Sequence, residues 1–176
     1  QLDEKDFRKV FDTVRRVYGM ENCHEITLEA NPDDLCPEYL QMLSELPFNR
    51  ISMGIQTFDD TTLKLLKRRH NAAQAIRAVE LCRAHGFRNI SIDLIYGLPG
   101  ETTERWEKDL QQAIALDVEH ISAYHLIYEE GTPIYKMLQK HQVEEVDEDS
   151  SVRFFTLLID RLHEAGYEHY EISNFC

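Results

Sequence analysis

Cysteine is scarce and scattered. Cys23, Cys36, Cys82 and Cys176 are the four, and none stands at the two- to four-residue spacing of a zinc or iron–sulfur ligand pair. No metal ligand is therefore expected among these residues. Cys82, set among Ala75, Ile76, Val79 and Leu81, reads as a small buried hydrophobe, the usual place of a free thiol in a reducing compartment. The glycine patterns GxGxxG and GxxxxGKS or GxxxxGKT are missing, so a pyrophosphate cradle is not indicated. No apolar run approaches the ~20 residues of a membrane helix, and no charged-then-apolar leader opens the chain. These absences lead us to expect no membrane span and a cytoplasmic location. Basic residues are outnumbered, 19 to 32, and the net charge of −13 repels a polyphosphate backbone, which argues against nucleic acid as a partner. His120, His125 and His169 have no partners at ligand spacing and are read as strand or packing residues, while Cys23-His24 is mere adjacency. No catalytic residue is assigned.

What is present is a rhythm. The 176 residues can bury one substantial core, so 1–176 is expected to be a single domain. Five short segments centred near Leu28, Met53, Ile92, Ala123 and Ile172 read as strands. Between and around them lie helical segments at Asp3 to Tyr18, Pro37 to Leu46, Asp59 to Arg68, Ala72 to His85, Thr103 to Leu116 and Asp147 to Ala165. Gly19, Gly86 and Gly166 fall just past three of the helices, where a left-handed cap suits glycine. Strands alternating with helices pair in parallel, so a parallel sheet is predicted.

Parallel strands covered by helices on both faces usually read as unbroken apolar runs. Here Ile26 and Leu28 alternate with Thr27 and Glu29; Ile51, Met53 and Ile55 with Ser52, Gly54 and Gln56; Ile90, Ile92 and Leu94 with Ser91 and Asp93; Ile121 and Ala123 with Ser122 and Tyr124. Successive strand residues face opposite ways, so one sheet surface is apolar under helices and the other is hydrophilic. That favours a partial parallel (β/α) barrel with a wet lumen and a site at the carboxyl ends of its strands.

Glu29 ends its strand before Pro32, either as an exposed loop carboxylate or, by its phase, as an inward one. Gln56 offers donors and an acceptor suited to a ribose or an amino acid. Asp93 is buried by its neighbours and needs a donor, whether backbone amides of the next loop or a ligand's hydroxyls. Gly97-Leu98-Pro99-Gly100 is a tight turn that could lay backbone, with Ile95 and Tyr96, against a flat ring. The basic run Lys67-Arg68-Arg69-His70 reads by default as a solvated helix end, and the acidic run from Glu144 to Asp149 as a solvated connection.

In order and spacing, EITLEANP, RISMGIQTFDD, the Lys-Arg-Arg-His segment, NISIDLIYGLPGET, HISAYHL, EEGTP and GYEHYEISNF resemble the HemN/HemW family of radical SAM proteins over nearly the whole chain. The ending from Tyr170 to Phe175 looks closer to the HemW branch of haem chaperones than to oxygen-independent coproporphyrinogen III oxidase. The resemblance implies a radical SAM barrel lacking its first strands, beginning at Gln1-Leu2 near strand three. It implies S-adenosylmethionine and a [4Fe–4S] cluster as cofactors, with haem a further ligand of the intact protein. By the same resemblance Arg68 faces the ligand carboxylate, Gln56 and Asp93 its ribose end, Ile95 and Gly97 the adenine, and Glu29 is a further contact. The family's CxxxCxxC loop and GGTP segment precede the matching region, so cluster ligands are expected outside this chain and the isolated fragment is expected to be inert. Expected partners are a porphyrin or haem and a haem-accepting protein. The rival readings are the radical decarboxylase and an unrelated barrel scaffold with a sugar or amino-acid ligand.

Overall fold

The computed structural model describes residues 2–176; Gln1, half of the expected Gln1-Leu2 start, lies outside the described residues. Strands β1 (Thr27–Ala30), β2 (Arg50–Gln56), β3 (Ile90–Tyr96) and β4 (His120–His125) lie side by side in chain order and all parallel. The chain between them supplies helices α1 (Glu4–Tyr18), before β1, then α2 (Pro37–Ser44), α3 (Asp60–Leu65), α4 (Ala72–Ala84) and α5 (Thr103–Ala115). After β4 come α6 (Pro133–Gln139) and α7 (Glu148–Glu164).

The expected fifth parallel strand at Ile172 is corrected. β5 (His169–Glu171) and β6 (Asn174–Phe175) form a hairpin whose second strand runs antiparallel to β4, giving the order β1-β2-β3-β4-β6-β5. Ile172 stands in the turn, 68% exposed. Only Ile172 and Ser173 separate the two strands, and two residues cannot make the crossover that a parallel pair requires.

The apolar strand phase is the floor of the core. Ile51, Met53, Ile55, Ile90, Ile92, Leu94 and Ile121 are fully buried, joined by Leu40 and Leu43 of α2, Val79 and Cys82 of α4, Trp106 and Leu110 of α5, and Phe154 and Leu158 of α7. Burial pushes the Cys82 thiol up to about 12, so it packs as an inert hydrophobe, as expected. Helix edges follow their caps. Asp3, Asp59, Asn71, Thr102, Thr132 and Asp147 each accept a backbone N–H from the first turn.

α3 is shorter than expected. Lys67 adopts a left-handed φ of 56°, Arg68 N donates to Leu63 O at 2.9 Å and Lys67 N to Lys64 O at 3.1 Å. This double closure ends the helix and turns the basic run away from its axis. The run is therefore solvated only in part: Lys67 and Arg69 stay exposed, Arg69 pairing with Asp33 and Asp34, while Arg68 is half-buried and His70 buried.

Candidate functional site

The hydrophilic phase of the four parallel strands forms one continuous surface. Register aligns Glu29, Ser52, Ser91 and His120 in one row, and Gly54, Asp93, Ser122 and Asn174 in the next. Toward the carboxyl ends, a cavity of about 320 Å³ opens, and four sequence-predicted residues line it together: Glu29, Gln56, Arg68 and Asp93. A roomier groove of about 920 Å³ runs along α1, but the charged flank of a single helix encloses nothing.

Each wall has a local cause. Glu29 comes from the edge strand β1 rather than a loop, and its exposed carboxylate lies in the cavity wall. Asp93 sits at mid-sheet, half-buried. Burial raises its carboxyl above the usual range, the Ser122 hydroxyl beside it pulls it back down, and the negative Glu29 adds to the rise. The lowering influence comes from a neighbouring strand's serine, whose single hydroxyl proton is directed to Asn174 Oδ1 at 2.9 Å, and not from backbone amides of the next loop.

Arg68 reaches the cavity because the left-handed Lys67 redirects the chain. Its Nη2 donates to Asn31 Oδ1 at 2.7 Å and to Gly54 O at 2.9 Å. These bonds use both Nη2 hydrogens and hold the guanidinium plane against β2, leaving the donors on Nε and Nη1. Asn31 was missed in the sequence, as were the cavity residues Ser52 and Asp34. The signal for Asn31 was its place between the inward Glu29 and the strand-ending Pro32.

Gln56 holds the most unusual backbone of the site. Its φ is 74°, uncommon for a side-chain-bearing residue, and the pairing of β2 with β3 slips between Gly54 and Gln56. The bulge bends the end of β2 so that the Gln56 amide lies over Gly54, where a Cβ would stand 2.6 Å from Gln56 Nε2 and 3.3 Å from Arg68 Nη2. A side chain there would displace the Gln56 amide and crowd Arg68.

The remaining two predicted residues are not brought into the cavity wall. Ile95 lies two residues beyond Asp93 on the same face, half-buried. Gly97 has a φ of 74°, and a Cβ on it would meet the His125 ring at 2.7 to 3.1 Å. Its N–H donates to Glu101 Oε2 at 2.6 Å, and Leu98 N donates to the same oxygen at 3.2 Å. The turn is thus held by the carboxylate of its own loop, and burial pushes Glu101 up to about 7 against those two bonds. His120 links Ser91 Oγ and the Tyr170 hydroxyl, His125 packs on Tyr96, and His169 stacks on Phe175 at 4.4 Å, all packing roles as expected.

A helix-backed parallel half-barrel with a polar pocket at its carboxyl mouth defines a class, and residues 3–113 match the family model described as the Radical SAM superfamily. This chain belongs to the radical SAM superfamily. It is similar to the Heme chaperone HemW of Bacillus subtilis (strain 168), 37% identical over 175 residues, covering 99% of this chain and 46% of that protein. The Heme chaperone HemW of Lactococcus lactis is 35% identical over 174 residues, with the same two coverages. Among solved structures, coproporphyrinogen III oxidase (HemN) from Escherichia coli superposes with a TM-score of 0.85 at 23% identity, over 99% of this chain and 40% of that one, which shows the shared partial-barrel fold. The chain spans less than half the length of the curated relatives it matches.

Membership implies S-adenosylmethionine and a [4Fe–4S] cluster as cofactors. The cavity suits the first: a guanidinium, three carboxylates and two side-chain amides offer donors and acceptors for a ligand bearing a carboxylate, an ammonium and a ribose diol. The cluster finds no such fit, since no group of three His, Cys, Asp or Glu among the described residues could hold a metal. No helix among them is long and apolar enough to cross a membrane.

Proposed function

We propose that residues 1–176 form one truncated barrel domain, the S-adenosylmethionine-binding wall of a HemW-like haem chaperone acting in haem metabolism. The convergence of Glu29, Gln56, Arg68 and Asp93 on one cavity carries this reading. Arg68 receives the ligand carboxylate, Asp93 and Gln56 accept and donate to the ribose, and Glu29 takes the ammonium end. Ile95 and the Gly97 turn flank the adenine just beyond the cavity. What this chain does is bind and orient the ligand, through groups whose charges and hydrogen bonds match its ends.

The chaperone reading is preferred to the radical decarboxylase because the two HemW relatives align along 99% of this chain at 35% and 37% identity, whereas the oxidase shares its fold at 23%. The implied partners are haem or a porphyrin and a haem-accepting protein, in the cytoplasm. The test uses the full-length protein with reconstituted cluster. Saturable binding of both S-adenosylmethionine and haem, with no decarboxylation of coproporphyrinogen III, is expected. Decarboxylation without haem binding transfers the protein to the oxidase class, and failure to bind S-adenosylmethionine removes the reading.

A further inference from the structure

Two buried side chains outside the cavity converge on the backbone either side of Gln56. His70 is 3% exposed, and its Nε2 lies 3.1 Å from Ile55 O, the carbonyl just before Gln56 in the slipped stretch of the ladder. A carbonyl can only accept, so Nε2 carries the proton. Burial holds the imidazole below its usual pKa, which favours that neutral, singly donating form. On the other side Asp109, 5% exposed on α5, accepts from Thr57 Oγ1 at 2.6 Å and from Phe58 N at 3.0 Å. The Thr57 hydroxyl in turn accepts from Asp59 N at 3.0 Å.

Gln56 lies between these anchors in a left-handed conformation that strains such a residue and persists only where its surroundings over-determine it. A regular strand would turn its side chain elsewhere and restore the ladder. Neither His70 nor Asp109 lines the cavity, and each is more costly to bury than an apolar residue of like volume, so their placement calls for a reason beyond packing.

We infer that His70 and Asp109 are positioning residues: by gripping Ile55 from one side and Thr57-Phe58 from the other, they hold Gln56 in its strained conformation and keep its amide over Gly54, aimed at the ligand. This rests on the reading of the cavity as an S-adenosylmethionine site. Dependence of the effect on Gln56 is what separates this role from a general structural one, since His70 also lies close enough to Arg68 to feel its charge.

The test is calorimetric titration of the full-length protein with S-adenosylmethionine, in a double-mutant cycle. Asp109→Asn keeps the shape but turns a donor toward one of its two partners, and His70→Leu removes the donor to Ile55. Each is expected to weaken binding about tenfold, with His70→Gln, whose amide can still donate, recovering most of that loss. In the Gln56→Gly background, where the left-handed φ is free of strain and the amide is gone, neither substitution should weaken binding further. Should Asp109→Asn not fold, Thr57→Val cuts the same link from its other end and is expected to show the same coupling. If Gln56→Gly weakens binding while Asp109→Asn and His70→Leu do not, or if their losses simply add to it, the positioning role is overturned and the cavity reading stands. If Gln56→Gly itself leaves affinity unchanged, the assignment of Gln56 falls and the positioning role with it.

Discussion

Single residues carry much of this mouth. Gly97 illustrates how: its left-handed backbone and the His125 ring lying against it leave no place for a Cβ. His125 cannot easily yield, because its Nδ1 and Nε2 are engaged with Leu126 O and Ser151 Oγ at 2.9 and 3.0 Å. Gly97→Ala should therefore cost about 2–3 kcal/mol in urea unfolding, combining backbone strain with overpacking; a loss below half a kilocalorie would show that the turn relaxes freely. Glu101, in the same loop, gives a pH signature. Its folded pKa of about 7 lies above the ordinary 4.5, so its contribution to stability is fully present below about pH 4.5 and is lost as pH rises through 7. Glu101→Gln keeps an acceptor for both amides without the buried charge. Above pH 8 it is expected to be more stable than the parent by on the order of 1–2 kcal/mol, with the difference vanishing near pH 4. Equal stability of the two proteins across that range would contradict the buried-charge account.

At the scale of elements, α3 shows where sequence reading succeeds and where it stops. Its start was legible, since Asp59 is followed by Thr62, whose N–H it caps at 2.7 Å. Its end was not, because Lys67 has no glycine's licence for a left-handed φ, and only the closing bonds to Leu63 and Lys64 reveal the turn. That turn decides whether Arg68 faces solvent or the cavity, which composition alone could not settle. Asp59→Ala removes the cap together with its 2.7 Å ion pair to Arg105, a side chain that also donates to Gly100 O in the neighbouring loop. Thermal unfolding should report a loss of about 1–2 kcal/mol. α6 went unread although Thr132-Pro133 is a cap followed by a first-turn proline, for it buries no side chain and leaves no periodic stripe. The β5–β6 hairpin was misread as one strand because Ile172 looks like a strand residue, whereas it stands exposed in the turn.

Across the whole molecule, the alternating phase was the legible feature. Four strands with one apolar and one hydrophilic side dictate a sheet backed by helices on one surface and open on the other, and the core and cavity follow that division. The backing is tight where α5 and α7 meet: Trp106 is fully buried, with its indole N–H donating to Phe154 O at 3.0 Å. Trp106→Ala should cost about 3–5 kcal/mol, read by urea unfolding, and leave a largely molten α5–α7 seam. Less legible were the contacts that cross from one loop to another, such as Asn31 to Arg68 and Asp109 to Thr57, since pairing partners 37 and 52 positions apart leaves no local pattern. The proposed site places S-adenosylmethionine on the hydrophilic surface of this sheet, at Arg68 and Asp93. Calorimetric titration of the full-length protein and its Asp93→Ala and Arg68→Ala variants tests it most directly: a loss of at least tenfold in affinity for each, with the fold intact by circular dichroism, is the predicted result, and unchanged affinity in both would contradict it.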